Sequence, residues 1–145
     1  MVISHVTGDH PEHAAGISGL LHDSDTGKVQ LFGSTLLLVE VLGGGFSAPV
    51  DPAIENRILR LLRDPDTMTL VPTSVQVGLL ARELRRDFRL ESPDAIHLAS
   101  AVFAGVDFFM TLDADDFPIG REVRGVQVEL PQSPSGTLVL PESPA

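Results

Sequence analysis

Cysteine is absent from the 145 residues, which removes disulfides, thiolate zinc sites and a cysteine nucleophile and agrees with a reducing compartment. Nor is there an apolar run of the length that a bilayer crossing demands, and the first residues lack a basic segment leading into an apolar core and a cleavage site. A cytoplasmic address with no membrane partner is the resulting expectation. Lysine occurs once, at Lys28. A phospho-acceptor domain of the receiver type needs a lysine late in the chain, so that class is set aside. Basic charge is scarce in general: 10 Lys and Arg stand against 20 Asp and Glu, for a formal net charge of -10. Such a balance works against phosphate binding over the whole surface. Most of the basic residues lie in two stretches, Arg57, Arg60 and Arg63, then Arg82, Arg85, Arg86 and Arg89. A local basic face is compatible with that distribution, although solvated helix faces explain it as well.

What is present suits one globular domain: the length allows a sizeable core and 43% of the residues are hydrophobic. The pattern predicts a helix over residues 9–22, with Asp9 as N-cap and Pro11 in the first turn, and a short strand over 29–32. Gly33, Ser34 and Thr35 then open a second helix that carries residues 36–42 and stops at Gly43-Gly44-Gly45. A third helix is expected over 51–63, with Ile54, Ile58, Leu61 and Leu62 as its apolar face, followed by a strand over 68–71. The fourth helix starts at Pro72-Thr73-Ser74 and ends near Leu90, with Val75, Leu79, Leu80, Leu84 and Phe88 facing the core.

Ser92 and Pro93 read as an N-cap and a first-turn proline for the fifth helix, which places Asp94 near the positive end of its dipole. That helix is apolar almost all round except for Asp94, His97 and Ser100, so it must be buried. Strands over 107–111 and 126–130 follow. Alternating strands and helices argue for an α/β fold with a parallel sheet covered by helices, in which ligands gather at the carboxyl ends of the strands. The domain is expected to span residues 1–130. The proline-rich stretch 131–145 is expected to be a flexible tail.

Three acids interrupt apolar elements: Glu40 in a leucine-rich helix, Asp94 at a buried helix start and Asp113 past an apolar strand. Taken singly, an exposed face, a cap and a turn explain each of them. Together they would gather at one end of a parallel sheet, where clustered carboxylates call for a divalent cation with oxygen ligands. Asp116, slightly further on, is a fourth candidate. Thr111 and Ser34 could position water or phosphate. His97, one turn beyond Asp94, is better read as a packed histidine bonded to a neighbour.

The blocks STLLLVEVL (residues 34–42), SPDAIHLASA (92–101) and FFMTLDADDF (108–117) resemble the PIN-domain family, and within it the VapC-like ribonuclease toxins of type II toxin–antitoxin pairs. The resemblance implies a parallel sheet sandwiched by helices and acids that hold Mg2+ or Mn2+ for cutting RNA. On that match Glu40, Asp94 and Asp113 take the positions of the second, third and fourth family acids, with Asp116 as an auxiliary. It also implies a cognate antitoxin as partner and a homodimer. Family members open with a strand ending in Asp-x-Asn or Asp-x-Ser, whereas no acid precedes Asp9 here. The first strand and first acid are therefore expected to be missing, through a start placed downstream of the true one. The expected activity is metal-dependent hydrolysis of RNA phosphodiesters, with Asp94 and Asp113 as direct ligands and Glu40 completing the metal site by holding a metal water or positioning the nucleophile. The alternative is a catalytically impaired PIN-fold module that still binds an antitoxin.

Overall fold

The computed structural model describes residues 3–4, 26–40, 51–111 and 114–130. The expected helix over 9–22 with Asp9, the glycine stop at residues 43–45, Asp113 and the tail from residue 131 lie outside them. The described elements run β1 (Ile3–Ser4), β2 (Leu31–Ser34), α1 (Leu37–Glu40), α2 (Pro52–Arg63), β3 (Met68–Val71), α3 (Val75–Phe88), α4 (Ser92–Ala104), β4 (Phe108–Thr111), β5 (Glu122–Val123) and β6 (Val126–Glu129). One ladder has the order β1-β4-β6-β5 and a second joins β2 to β3. Every pairing is parallel except that of β5 with β6. Strand β1 also lies against β2, so the two ladders meet there.

Strand alternation sends neighbouring residues to opposite faces of the sheet, and both faces are covered. Phe109 joins Val77, Leu84, Leu98 and Val128 in a core beneath α3 and α4. Met110 joins Leu31, Leu37, Leu62 and Met68 in a core on the other side, beneath α1 and α2. This is the expected α/β sandwich. No helix among the described residues is long and apolar enough to cross a membrane.

The first strand was expected to be missing, yet the residues at the chain start occupy a strand position. Ile3 stands opposite Met110 and Ser4 opposite Thr111. The physical reason is backbone pairing: a central strand such as β4 has polar groups on both edges, and even two residues of β1 satisfy part of the edge that β6 leaves open.

Helix starts follow local chemistry. Asp51 caps α2 by accepting from the Ala53 N–H at 2.9 Å, and Ser74 caps α3 by accepting from the Val77 N–H at 3.2 Å. Helix α4 differs from expectation. Its N-cap is Glu91, which makes no side-chain capping bond, and Ser92 is already helical. Asp94 remains in the first turn. In α3 the buried residues are Val77, Ala81 and Leu84, whereas Val75 and Leu79 are exposed. The core stripe is thus rotated from the expected one, because a small residue at 81 lets α4 approach closely.

Strand β2 also lies two residues later than its pattern suggests, so Gly33 and Ser34 close the strand instead of opening a helix. Parallel pairing with β3 holds them there, in a register from Leu31 opposite Met68 to Ser34 opposite Val71. A Cβ on Gly33 would lie 2.4 Å from Leu37 Cδ1 and 3.0 Å from Met68 Sδ. Both neighbours are buried in the core under α2 and cannot swing into solvent. Gly33→Ala is expected to destabilise the protein by about 1–3 kcal/mol through overpacking, measured by urea unfolding; an unchanged midpoint would show that the strand and α1 are not packed this closely.

Candidate functional site

Parallel strands β2 and β4 end in hydroxyl residues, Ser34 and Thr111, and both are fully buried. Alternation places each on the side of the sheet that α4 covers, two residues beyond Phe32 and Phe109 of the core beneath that helix. Ser34 Oγ accepts a hydrogen bond from the Leu36 N–H at 3.1 Å, which turns the chain from β2 into α1. Among the described residues the only other buried polar side chains are His97 and Ser100 of α4. All four therefore belong to one side of the sheet, and a buried polar side chain needs a partner or a purpose.

Helix α4 organises this region. Asp94, His97 and Ser100 recur at a spacing of three, on one face of the helix. Ser100 Oγ donates back to the Ile96 carbonyl at 2.7 Å, a local bond that satisfies it within the helix. Asp94 is half-buried in the first turn, where the helix dipole favours negative charge. His97 is 2% exposed, and its Nε2 donates to Glu40 Oε1. That bond joins residues 57 apart in sequence and brings Glu40 to the end of α4 that carries Asp94. The histidine is thus bonded to a neighbour, as its position on a packed helix implied. The neighbour is one of the candidate acids, which the sequence did not reveal.

Asp116 lies exposed in the turn over residues 114–117 that follows β4. Phe117 anchors this turn by stacking at a tilt against Phe109, ring centroids 5.0 Å apart. The structure therefore associates Glu40 with the face of Asp94, seats Thr111 and Ser34 at strand ends on the same side of the sheet, and puts Asp116 just past β4. Asp113 is the one candidate outside the described residues. Oxygen donors of this kind suit a hard divalent cation. No group of three acidic, histidine or cysteine side chains that could hold a metal occurs among the described residues, so a full ligand set would draw on a residue beyond them.

The arginines of α2 and α3 face solvent, and Arg86 and Arg124 pair with Asp87 at 3.5 Å and Glu83 at 3.3 Å. Such exposed pairs contribute little to stability. A cavity of about 360 Å³ opens at the amino ends of β2 and β4, between Lys28, Phe32, Val106 and Phe108. It contains none of the candidate residues and lies at the wrong end of a parallel sheet for a site built on strand carboxyl ends.

A family model for the PIN domain matches residues 2–119. No curated protein and no solved structure matches the chain.

The contact between Glu40 and His97 has a measurable energetic consequence. With Nε2 committed to Glu40, Nδ1 of His97 is buried without a partner among the described residues. Glu40→Ala leaves both ring nitrogens unpaired in the interior, and the expected loss is about 1–3 kcal/mol. Thermal and urea melts of the variant check this, and an unaltered melting temperature would show that the bond contributes nothing.

Proposed function

Since the chain belongs to the PIN domain family, whose members are typically nucleases that use divalent metal ions, we propose that it is a metal-dependent endoribonuclease of the VapC type. The observation that carries this reading is the bond from His97 to Glu40. It draws a distant acid to the helix face that begins with Asp94, at the carboxyl end of a parallel sheet. A purely structural histidine could have paired with any acceptor.

In this proposal Asp94, Asp113 and Glu40 hold Mg2+ or Mn2+, with Asp116 as an auxiliary acid at the rim. The cation, when bound, supplies charge that polarises the phosphoryl group and makes water a better nucleophile. Glu40 orients the attacking water. The water oxygen bonds to phosphorus as one P–O bond to the leaving nucleotide breaks, the water proton passes to solvent and the leaving oxygen takes one back from it, and no covalent enzyme intermediate is needed. Thr111 and Ser34, at the ends of β4 and β2, position water or phosphate. The cytoplasm, a cognate antitoxin and a homodimer belong to the same proposal. Exposed Val75, Leu79 and Phe103 offer apolar surface that such partners would cover.

A second reading rests on one specific observation. β1 ends at Ser4, in register with Thr111, and no acid occurs before Asp9. A site with fewer carboxylates binds a cation less tightly, which favours an impaired module that retains a partner surface.

The deciding experiment is RNA cleavage with Mg2+ or Mn2+ by the chain and by its Asp94→Asn variant. Cleavage that requires the metal and falls by roughly a hundredfold or more in the variant is the expected outcome, at least the loss that outer-shell changes at metal sites cause. Folded protein that leaves RNA intact under both metals would establish the impaired module instead.

A further inference from the structure

Resting on the nuclease reading above, we infer that His97 is a positioning residue for the metal site, holding Glu40 by one carboxylate oxygen so that the other is presented to the cation and its water. Three observations carry this. His97 lies almost wholly beneath the surface, at 2% exposure, while the Glu40 side chain keeps 30%. The histidine is therefore the floor of the pair and the carboxylate its open side. The bond uses Oε1 alone, and a carboxylate has further acceptor sites on its second oxygen.

The third observation is the orphan. Among the described residues Nδ1 of His97 is buried with no hydrogen-bond partner, and an unsatisfied polar atom in a packed interior is costly. The other buried residues of α4 are Ala95, Leu98, Ala99, Ser100 and Ala101, all but one of them apolar. An apolar side chain of similar volume would pack among them without leaving an orphan. A residue chosen only for packing would thus be leucine or methionine. What histidine alone adds at this position is the Nε2–H donated to Glu40.

Glu40 also needs such a support more than the other acids do. Asp94 is set by the first turn of a 13-residue helix. Glu40 instead ends a helix of four residues, and its side chain has one more rotatable bond than aspartate. Without an anchor, its carboxylate would sample several rotamers and lose entropy on meeting a cation. A hydrogen bond from the rigid helix α4 removes that freedom beforehand, as outer-shell partners do for metal-bound carboxylates.

The test is Mn2+ binding, followed by electron paramagnetic resonance at fixed pH, alongside thermal melts of each variant. His97→Leu is expected to weaken Mn2+ affinity by roughly ten- to a hundredfold, while His97→Gln, whose amide nitrogen can reach where Nε2 lies, restores it to within a few-fold. In a Glu40→Ala background His97→Leu should cause no further loss, since the histidine acts through Glu40. Should His97→Leu fail to fold, His97→Asn, whose amide stops short of Glu40, takes its place with the same expectation. Mn2+ binding that needs Asp94 but is indifferent to His97→Leu or His97→Asn overturns this inference alone. A wild-type chain that binds no Mn2+, or binds it equally well as Asp94→Asn, overturns the nuclease reading and this inference with it.

Discussion

Helix α4 has to be covered on nearly every side, because eleven of its thirteen residues are alanine, valine, leucine, isoleucine, phenylalanine, proline or serine and only Asp94 carries a fixed charge. Exposure of such a helix would leave a large apolar surface in water. The sheet meets this demand on one side and α3 on another, with small residues on both helices permitting close approach. Burial of the helix body then settles where its polar residues can go. Asp94 emerges at the amino end, beside the carboxyl ends of the parallel strands. His97 and Ser100 remain inside and must find partners within the fold.

The two polar residues solve that problem differently. Ser100 bonds to its own helix. His97 reaches across to Glu40 and leaves its second nitrogen unpaired. A local solution is what a core needs. A long-range bond that leaves an orphan is what a core avoids, unless the group it holds has work to do at the surface. The acidic balance of the whole chain, at a net charge of -10, has no such consequence by itself, since most of the described carboxylates are exposed. It is the pairing of one carboxylate with a buried donor that separates Glu40 from that background.

Much of the architecture was legible in the residue pattern, because it depends on local chemistry and period. Helix α2 fills its expected span, and Ser74 stands at the expected start of α3 and caps it. Burial of α4 followed from its composition. What the pattern misplaced depends on long-range packing. Ser34 carries turn chemistry, yet the ladder with β3 keeps it in a strand. Val75 and Leu79 have helical spacing and lie exposed, while Val77 and Ala81 are buried. Strand β5 has no place in the expected pattern, although Arg124 and Gly125, both at positive φ, form the two-residue turn of a hairpin with β6. At the site, spacing exposed the polar face of α4 but could not name Glu40 as the partner of His97. No local signal links residues so far apart.

The start of the chain bears on how the site would hold a cation. Strand β1 takes its place beside β4, so the sheet is not left open at its middle, but its carboxyl end offers Ser4 in register with Thr111 where an acid would add a negative charge. On the nuclease reading, fewer ligand charges must then offset the cost of stripping water from the ion. In such a site the geometry of each remaining carboxylate counts for more. An acid that is already oriented loses less freedom on binding than one that must be ordered by the cation itself. Asp94 is oriented by its helix, and Glu40 by the imidazole beneath it. On that reading, the fewer carboxylates a site holds, the more its affinity depends on the hydrogen bond from His97.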